Sequence, residues 1–397
     1  MLVRLHHCGY APTFGQLMKI DVIGLTKELV SYKSESLSSN VDVTQRVATI
    51  LRALHFQVEE LPHTDVNGVP KLSIVAKLGT GRGGLSLMSH DDVVPARMEQ
   101  GWTSDPYQAR LADGKIYGRG ACDMKGPLAA TICAASQFRS VTLKKPLYII
   151  VTSDEEIQAV GAWEVSNKSK LFAEAASGYG LICEPTRLKV VHAHKGSLQI
   201  VATSMGRAAH TSTLKGVNAN LAMIPFLSEM VKINNLVLTS KRYRNEEFTP
   251  PHSEWSIGIN DHNVATNIYP VRSVCTINYR PMPGTDVNAL VDRARRKAKE
   301  LGIKFKASKA GDALYTSPEA QLVKTALKLT GTRKPATVAY GTDGLASSKN
   351  MKNLVVLGPG NIAQAHTVDE WVEVEQLEKG VDLYTRFIDY VCVQGKD

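Results

Sequence analysis

Five side chains able to bind a divalent cation are spread along 397 residues: His90, Asp123, Glu156, Glu184 and His366. A sixth group, Glu155, directly precedes one of them. Three imidazole or carboxylate donors per cation, with one position left open, make the donor set of catalytic zinc. Five residues serve two cations if one carboxylate bridges them, and Asp123, in the middle of the set, is the natural bridge. Two cations roughly 3.5 to 4 Å apart activate a water and polarise a carbonyl at once. In the pair Glu155–Glu156 one residue is a ligand and the other a general base. Neighbouring side chains at a strand end diverge, so only one should face the cations directly. Asp92 can accept the second ring N–H of His90, fixing its tautomer and raising its basicity. Taken singly, each residue has a plainer use as a structural histidine, a solvated glutamate or a turn aspartate. The ordered set carries the reading.

The elements that must position these groups follow from apolar periodicity. Leu85 to Met88, Pro146 to Thr152, Gly180 to Cys183 and Leu354 to Leu357 are short apolar runs, the pattern of buried, largely parallel strands. His90, Glu155, Glu156, Glu184 and His366 each follow one of them. In open α/β sheets functional residues gather beyond the carboxyl ends of strands, so one edge should collect all five. Helices are expected over Asp21 to Tyr32, Val41 to Leu54 and the small, apolar Pro127 to Phe138. Strands Phe56 to Val58 and Leu72 to Ala76 flank a turn at Asn67-Gly68.

From Lys195 to Ala307 the texture changes. Strands at Leu198 to Thr203, Trp255 to Ile259 and Val274 to Tyr279 alternate with helices at Ala219 to Ile233 and Val287 to Leu301. Pro225 should kink the first helix or mark its first turn. The order is that of a split βαβ, ferredoxin-like unit. The expected architecture is therefore α/β. A catalytic domain over 18–194 and 308–397, with a mixed, largely parallel sheet flanked by helices, carries an inserted α+β unit over 195–307. The apolar positions Leu221, Ile224, Leu227 and Met230 form either core or a dimer seam. Residues 1–17 read as an N-terminal extension with a weak metal-binding group, His6-His7-Cys8.

Hydrophobic content of 43% and charged content of 21% are those of a globular protein of two domains. No run reaches the roughly 18 apolar residues of a membrane helix, so no membrane partner is expected. The net charge of +9 is scattered, with no basic stripe interleaved with aromatics, which argues against nucleic acid. Six cysteines without a Cys-x-x-Cys read as free buried thiols in a reducing, cytoplasmic setting. Cys122 has no local histidine to make it a nucleophile.

The segments His90-Asp91-Asp92-Val93-Val94-Pro95 and Gly118-Arg119-Gly120-Ala121-Cys122-Asp123-Met124-Lys125-Gly126 resemble specific motifs of the dinuclear zinc amidohydrolases. That family includes acetylornithine deacetylase, succinyl-diaminopimelate desuccinylase, aminoacylases and glutamate carboxypeptidases. The resemblance runs from about Ile20 to the C-terminus; Ile157, where many members carry a small residue or threonine, departs from it. It implies one metal on His90 and Glu184, the other on Glu156 and His366, Asp123 bridging, and Glu155 as general base. It further implies two divalent ions, zinc first with cobalt or manganese as alternatives, and a homodimer through the inserted domain. His210 looks like the family's inserted-domain histidine, which reaches an active site, often the partner's.

Lys195-Gly196, Gly206 to Ser212, Gly216 to Ala219 and Gly358 to Glu370 resemble the acetylornithine deacetylase branch. This implies hydrolysis of N2-acetyl-L-ornithine to ornithine and acetate, a step of arginine synthesis. Arg280 would hold the substrate α-carboxylate, with Asn267 as a hydrogen-bond partner and Gly341 and Thr342 lining the pocket; Asp343 would face a distal ammonium. A desuccinylase, a broad aminoacylase or dipeptidase, and a non-catalytic metal-binding relative are the rival readings.

Overall fold

Leu85–His90, Leu147–Thr152 and Tyr179–Pro185 are buried along their whole length, as strands covered on both faces must be. In the computed structural model, which describes residues 20–262 and 265–396, Leu85–His90 pairs in parallel with both of the others. Tyr179–Pro185 pairs in parallel with Asn353–Gly358. The extension expected over 1–17 lies outside the described residues, Cys8 with it. Among the described residues nine strands form this sheet. It is parallel at its centre and antiparallel toward its edges, where Gln57–Thr64 and Pro70–Leu78 make a hairpin turned by Gly68 at φ 83°. Both hairpin strands are longer than expected, because their outer halves are too polar to stand out.

Helices cover the sheet, as its apolar strands require. Val22–Ser31 starts where Asp21 accepts the backbone N–H groups of Ile23 and Gly24, an N-cap in the ordinary sense. Lys125–Ser136 is buried at every residue. Its alanines let Val22–Ser31 and Val374–Ile388 approach closely. A small sheet of Arg110–Ala112, Lys115–Tyr117 and Trp371–Glu373 had no sequence signal, each strand being three residues long. It brings the chain just before Asp123 alongside the chain just after His366.

The segment from Leu198 to Ala307 builds a second sheet, in the order Glu254–Asn260, Arg272–Arg280, Leu198–Met205, Lys304–Ala307, antiparallel throughout. Leu198–Met205 alternates buried and exposed residues, so one face is covered. Ala219–Thr239 and Val287–Glu300 supply that cover, around Phe226, Met230, Trp255, Ile277 and Leu290.

Two expectations for Ala219–Thr239 need correction. The helix runs on for 21 residues with Pro225 inside it, so the proline does not mark its first turn. It is also the one helix among the described residues long and apolar enough to cross a membrane. Met223, Phe226, Met230, Ile233 and Val237 are nonetheless turned into their own core. Met230 is thus not on one face with Leu221 and Ile224, which are 69% and 60% exposed. The nine residues from Leu221 to Met230 are two and a half turns, which puts them on opposite sides.

Candidate metal centre

All the cation-binding candidates meet beyond the carboxyl ends of the parallel strands. His90 is the last residue of its strand and Glu184 the last but one of Tyr179–Pro185. Glu155 and Glu156 begin a short 3-10 turn that leaves Leu147–Thr152 through Asp154, held at φ 53°. Buried Lys71 holds that strained residue, its Nζ 2.5 Å from Asp154 Oδ1. Asp123 sits just before helix Lys125–Ser136, after Gly120 at φ 83°. His366 lies in a loop that begins at Gly358, where a Cβ would stand 2.1 Å from the carbonyl oxygen of Cys183. Only glycine allows the strands carrying Glu184 and the His366 loop to close that tightly.

Two imidazoles approach opposite oxygens of Asp123. His90 Nε2 is 3.2 Å from Oδ1 and 3.5 Å from Glu184 Oε1. His366 Nε2 is 3.4 Å from Oδ2 and 2.9 Å from Glu156 Oε2. Each imidazole thus has its own glutamate and shares the aspartate, which is the division into two sites with one bridge. Glu155 groups with His90 and Glu184 within 4.8 Å. His90 is fully buried, whereas the His366 side chain is 53% exposed.

Carboxylates buried this close together repel one another. Burial, then the neighbouring carboxylates, push Glu155 and Glu184 well above the usual range, with His90 opposing. Burial and Asp123 raise Glu156 to about 7. The hydrogen bond to Asp123, then that to Glu156, raises His366 to about 10. The described residues lining the adjoining cavity of about 220 Å³ include no lysine or arginine to offset these charges. Two divalent ions fit this donor set in number, type and spacing.

Asp92 approaches His90 with two acceptors and serves the glutamate turn as well. The nearest acceptor for His90 Nδ1 is the backbone oxygen of Asp92, at 2.9 Å, with the Asp92 carboxylate at 3.5 Å. That carboxylate accepts the N–H of Glu155 at 3.0 Å, that of Glu156 at 3.4 Å and the hydroxyl of Ser36 at 2.8 Å. It therefore orients the whole glutamate turn. Both glutamates line the cavity. The expected divergence fails because the pair sits in a 3-10 turn, about 120° per residue, and not on a strand.

The remaining candidates are more scattered. Gly341 lines the cavity. Thr342 is buried and bonded to His194 at 3.0 Å, and buried Asp343 is bonded through Oδ2 to Thr152 at 2.5 Å. His210 caps the Thr211–Thr213 turn and bonds Ser212, beside Asn267, whose carbonyl accepts the N–H of Thr211. Arg280 ends its strand opposite Glu254, close enough to His194 to lower that imidazole's pKa, after burial. His210, Asn267 and Arg280 all lie outside the cavity lining. Cys122 is buried, its thiol pushed up by burial, which removes it as a nucleophile. Tyr340, Ile362 and Ala365 line the cavity and were not anticipated, although each adjoins a flagged loop. Glu370, four residues past His366, is fully buried and had no signal beyond its motif.

Known structures share this fold. An M20 family metallo-carboxypeptidase from Sulfolobus solfataricus superposes with a TM-score of 0.76 at 16% identity, over 93% of this chain and 98% of its own. Human carnosine dipeptidase 1 gives 0.69 at 20% identity, over 92% and 95%. A dinuclear metal-binding peptidase of the M20 family from Bacillus subtilis gives 0.58 at 15% identity, over 92% and 96%. At these identities the likeness concerns the fold. The sequence itself matches a family profile over residues 86–390, a span that contains every residue of the centre: the chain belongs to peptidase family M20/M25/M40.

Proposed function

We propose that this protein is a metal-dependent amide hydrolase that removes the acetyl group of N2-acetyl-L-ornithine. The observation that carries the reaction class is the sharing of Asp123 between His90 with Glu184 and His366 with Glu156, with Glu155 alongside. Two divalent ions bound there, zinc by preference of the donors and cobalt or manganese as substitutes, supply Lewis acidity to the amide carbonyl and acidity to water. Glu155 takes the proton of the attacking water. Its carboxylate lies beside His90 and Glu184, within reach of a water held between them. It then delivers the proton to the amide nitrogen as the C–N bond breaks, leaving the free amine and acetate.

The acyl side is supported by the cavity wall. Tyr340, Gly341, Ile362 and Ala365 line the space beside the carboxylates, and their uncharged side chains suit a short neutral acyl group. Arg280, with Asn267, is proposed to hold the α-carboxylate, and His210 to steady the tetrahedral oxyanion. Because all three sit on the inserted unit, the reading includes its closure about hinges near Lys195 and Ala307. A homodimer through the exposed side of Ala219–Thr239 is part of the same proposal; Leu221, Ile224 and Val231 form its apolar stripe. The second reading is a dipeptidase, favoured by the fold shared with carnosine dipeptidase 1.

Steady-state hydrolysis after metal reconstitution separates these readings. The panel is N2-acetyl-L-ornithine, N-succinyl-diaminopimelate, N-acetylmethionine and a neutral dipeptide. A kcat/KM for acetylornithine about tenfold or more above the others, roughly 1.4 kcal/mol of discrimination, is expected. Preference for the dipeptide would replace the substrate and keep the site. Hydrolysis of none, with metal bound, would favour a non-catalytic relative.

A further inference from the structure

A carboxylate outside the proposed ligand set is built into the same centre. Glu370 is fully buried. Its Oε1 accepts the backbone N–H groups of Cys122 at 2.9 Å and Asp123 at 3.0 Å. Its Oε2 accepts the Gly120 N–H at 3.1 Å and the Arg119 guanidinium at 2.6 Å. Its own carbonyl accepts the Gly118 N–H at 2.9 Å. The loop from Gly118 to Asp123 is thus wrapped around one side chain, a nest of backbone donors around an anion.

Burying a carboxylate costs several kcal/mol unless donors satisfy it. Here four donors do so, and one of them, the buried Arg119 guanidinium, also supplies the opposite charge. The anion stands behind Asp123, whose charge opposes it. The same stretch of chain presents His366 four residues earlier, held in the left-handed region at φ 63°. One residue therefore spans the bridging aspartate, through its backbone N–H, and the histidine that faces that aspartate's Oδ2 at 3.4 Å. The parallel strands fix His90 and Glu184 independently of this link.

We propose that Glu370 is a positioning residue that registers the His366 loop against Asp123 and so assembles the second of the two metal sites. The proposal rests on the two-metal reading given above. Glu370 lies outside the cavity lining, so its effect reaches the reaction through the ligands alone.

The test is metal binding by the full chain. Wild type, Glu370→Gln and Glu370→Asp are stripped of metal. Each is then titrated with zinc against a chelator of known affinity, and with cobalt(II) while its visible d–d absorption is followed. Gln keeps the size but turns an amide N–H toward two donors. It is expected to leave the first equivalent within about threefold of wild type and to weaken the second about 10- to 100-fold. The cobalt spectrum should lose its second-equivalent change. Asp, which keeps the charge but is one methylene shorter, should fall between the two. Leu290→Ala, in the core of the inserted unit, controls for lost stability and should bind both equivalents normally. Two wild-type equivalents in Glu370→Gln, or the same loss in Leu290→Ala, would overturn the proposal. If Glu370→Gln does not fold, wild-type binding by Glu370→Asp would overturn it. A wild type that binds fewer than two equivalents would instead sink the two-metal reading itself.

Discussion

The carboxylate of Asp92 accepts the backbone N–H of Glu155 at 3.0 Å, so the strand that supplies His90 also sets the angle of the base. Asp92→Asn keeps the shape and replaces one of the two oxygens that accept from the glutamate turn. It is expected to lower kcat about 10- to 100-fold with KM nearly unchanged. Metal content should fall less than kcat, because Glu155 gives up the shorter of the two backbone bonds to Asp92 and Glu156 the longer. Unchanged kcat would show that the glutamate turn holds itself.

Proton release should accompany metal uptake. His366 is raised from 6.5 to about 10 by Asp123 and Glu156, and Glu156 to about 7 by burial and Asp123. Both folded values exceed the unfolded ones, so each group stabilises the metal-free fold when protonated. The His366 contribution is complete below pH 6.5 and fades as pH rises through about 10. Metal-free protein should therefore melt at progressively lower temperature from about pH 7 to about pH 10, while loaded protein changes far less. Apparent metal affinity should rise over the same window, because cations replace those protons. Calorimetry in buffers of different ionisation enthalpy reads the released protons directly. An affinity flat in pH would contradict this account.

Much of this centre was legible because strands that are buried on both faces announce themselves as continuous apolar runs. Once Leu85–His90, Leu147–Thr152 and Tyr179–Pro185 are taken as parallel neighbours, His90, Glu156 and Glu184 must share an edge. What stayed hidden lies in turns. The 3-10 geometry that aims Glu155 and Glu156 together depends on Asp154 at φ 53° and its buried partner Lys71, a contact across 83 residues. Glu370 was likewise invisible, since three of its partners are backbone N–H groups that any sequence would offer and the fourth, Arg119, is 251 residues away. The Leu221–Met230 grouping failed for a simpler reason, a helical spacing read as one face where it spans two.

The exposed stripe on Ala219–Thr239 gives the dimer proposal a direct check. Ile224→Asp places a charge on a residue 60% exposed in the single chain. Stability of the chain itself should change by no more than about 0.5 kcal/mol. Light scattering should show two chains for wild type and one for the variant. A wild type that is already a single chain would remove the seam.

The central claim is that Glu155 moves the proton while Asp123, His90, Glu156, Glu184 and His366 hold the metals. Glu155→Gln tests it most directly, with bound metal and hydrolysis measured on the same preparation. The account predicts two metal equivalents retained and kcat reduced about 10²- to 10⁴-fold, the range expected for loss of a general base. Hydrolysis close to wild type in that fully loaded variant would contradict it.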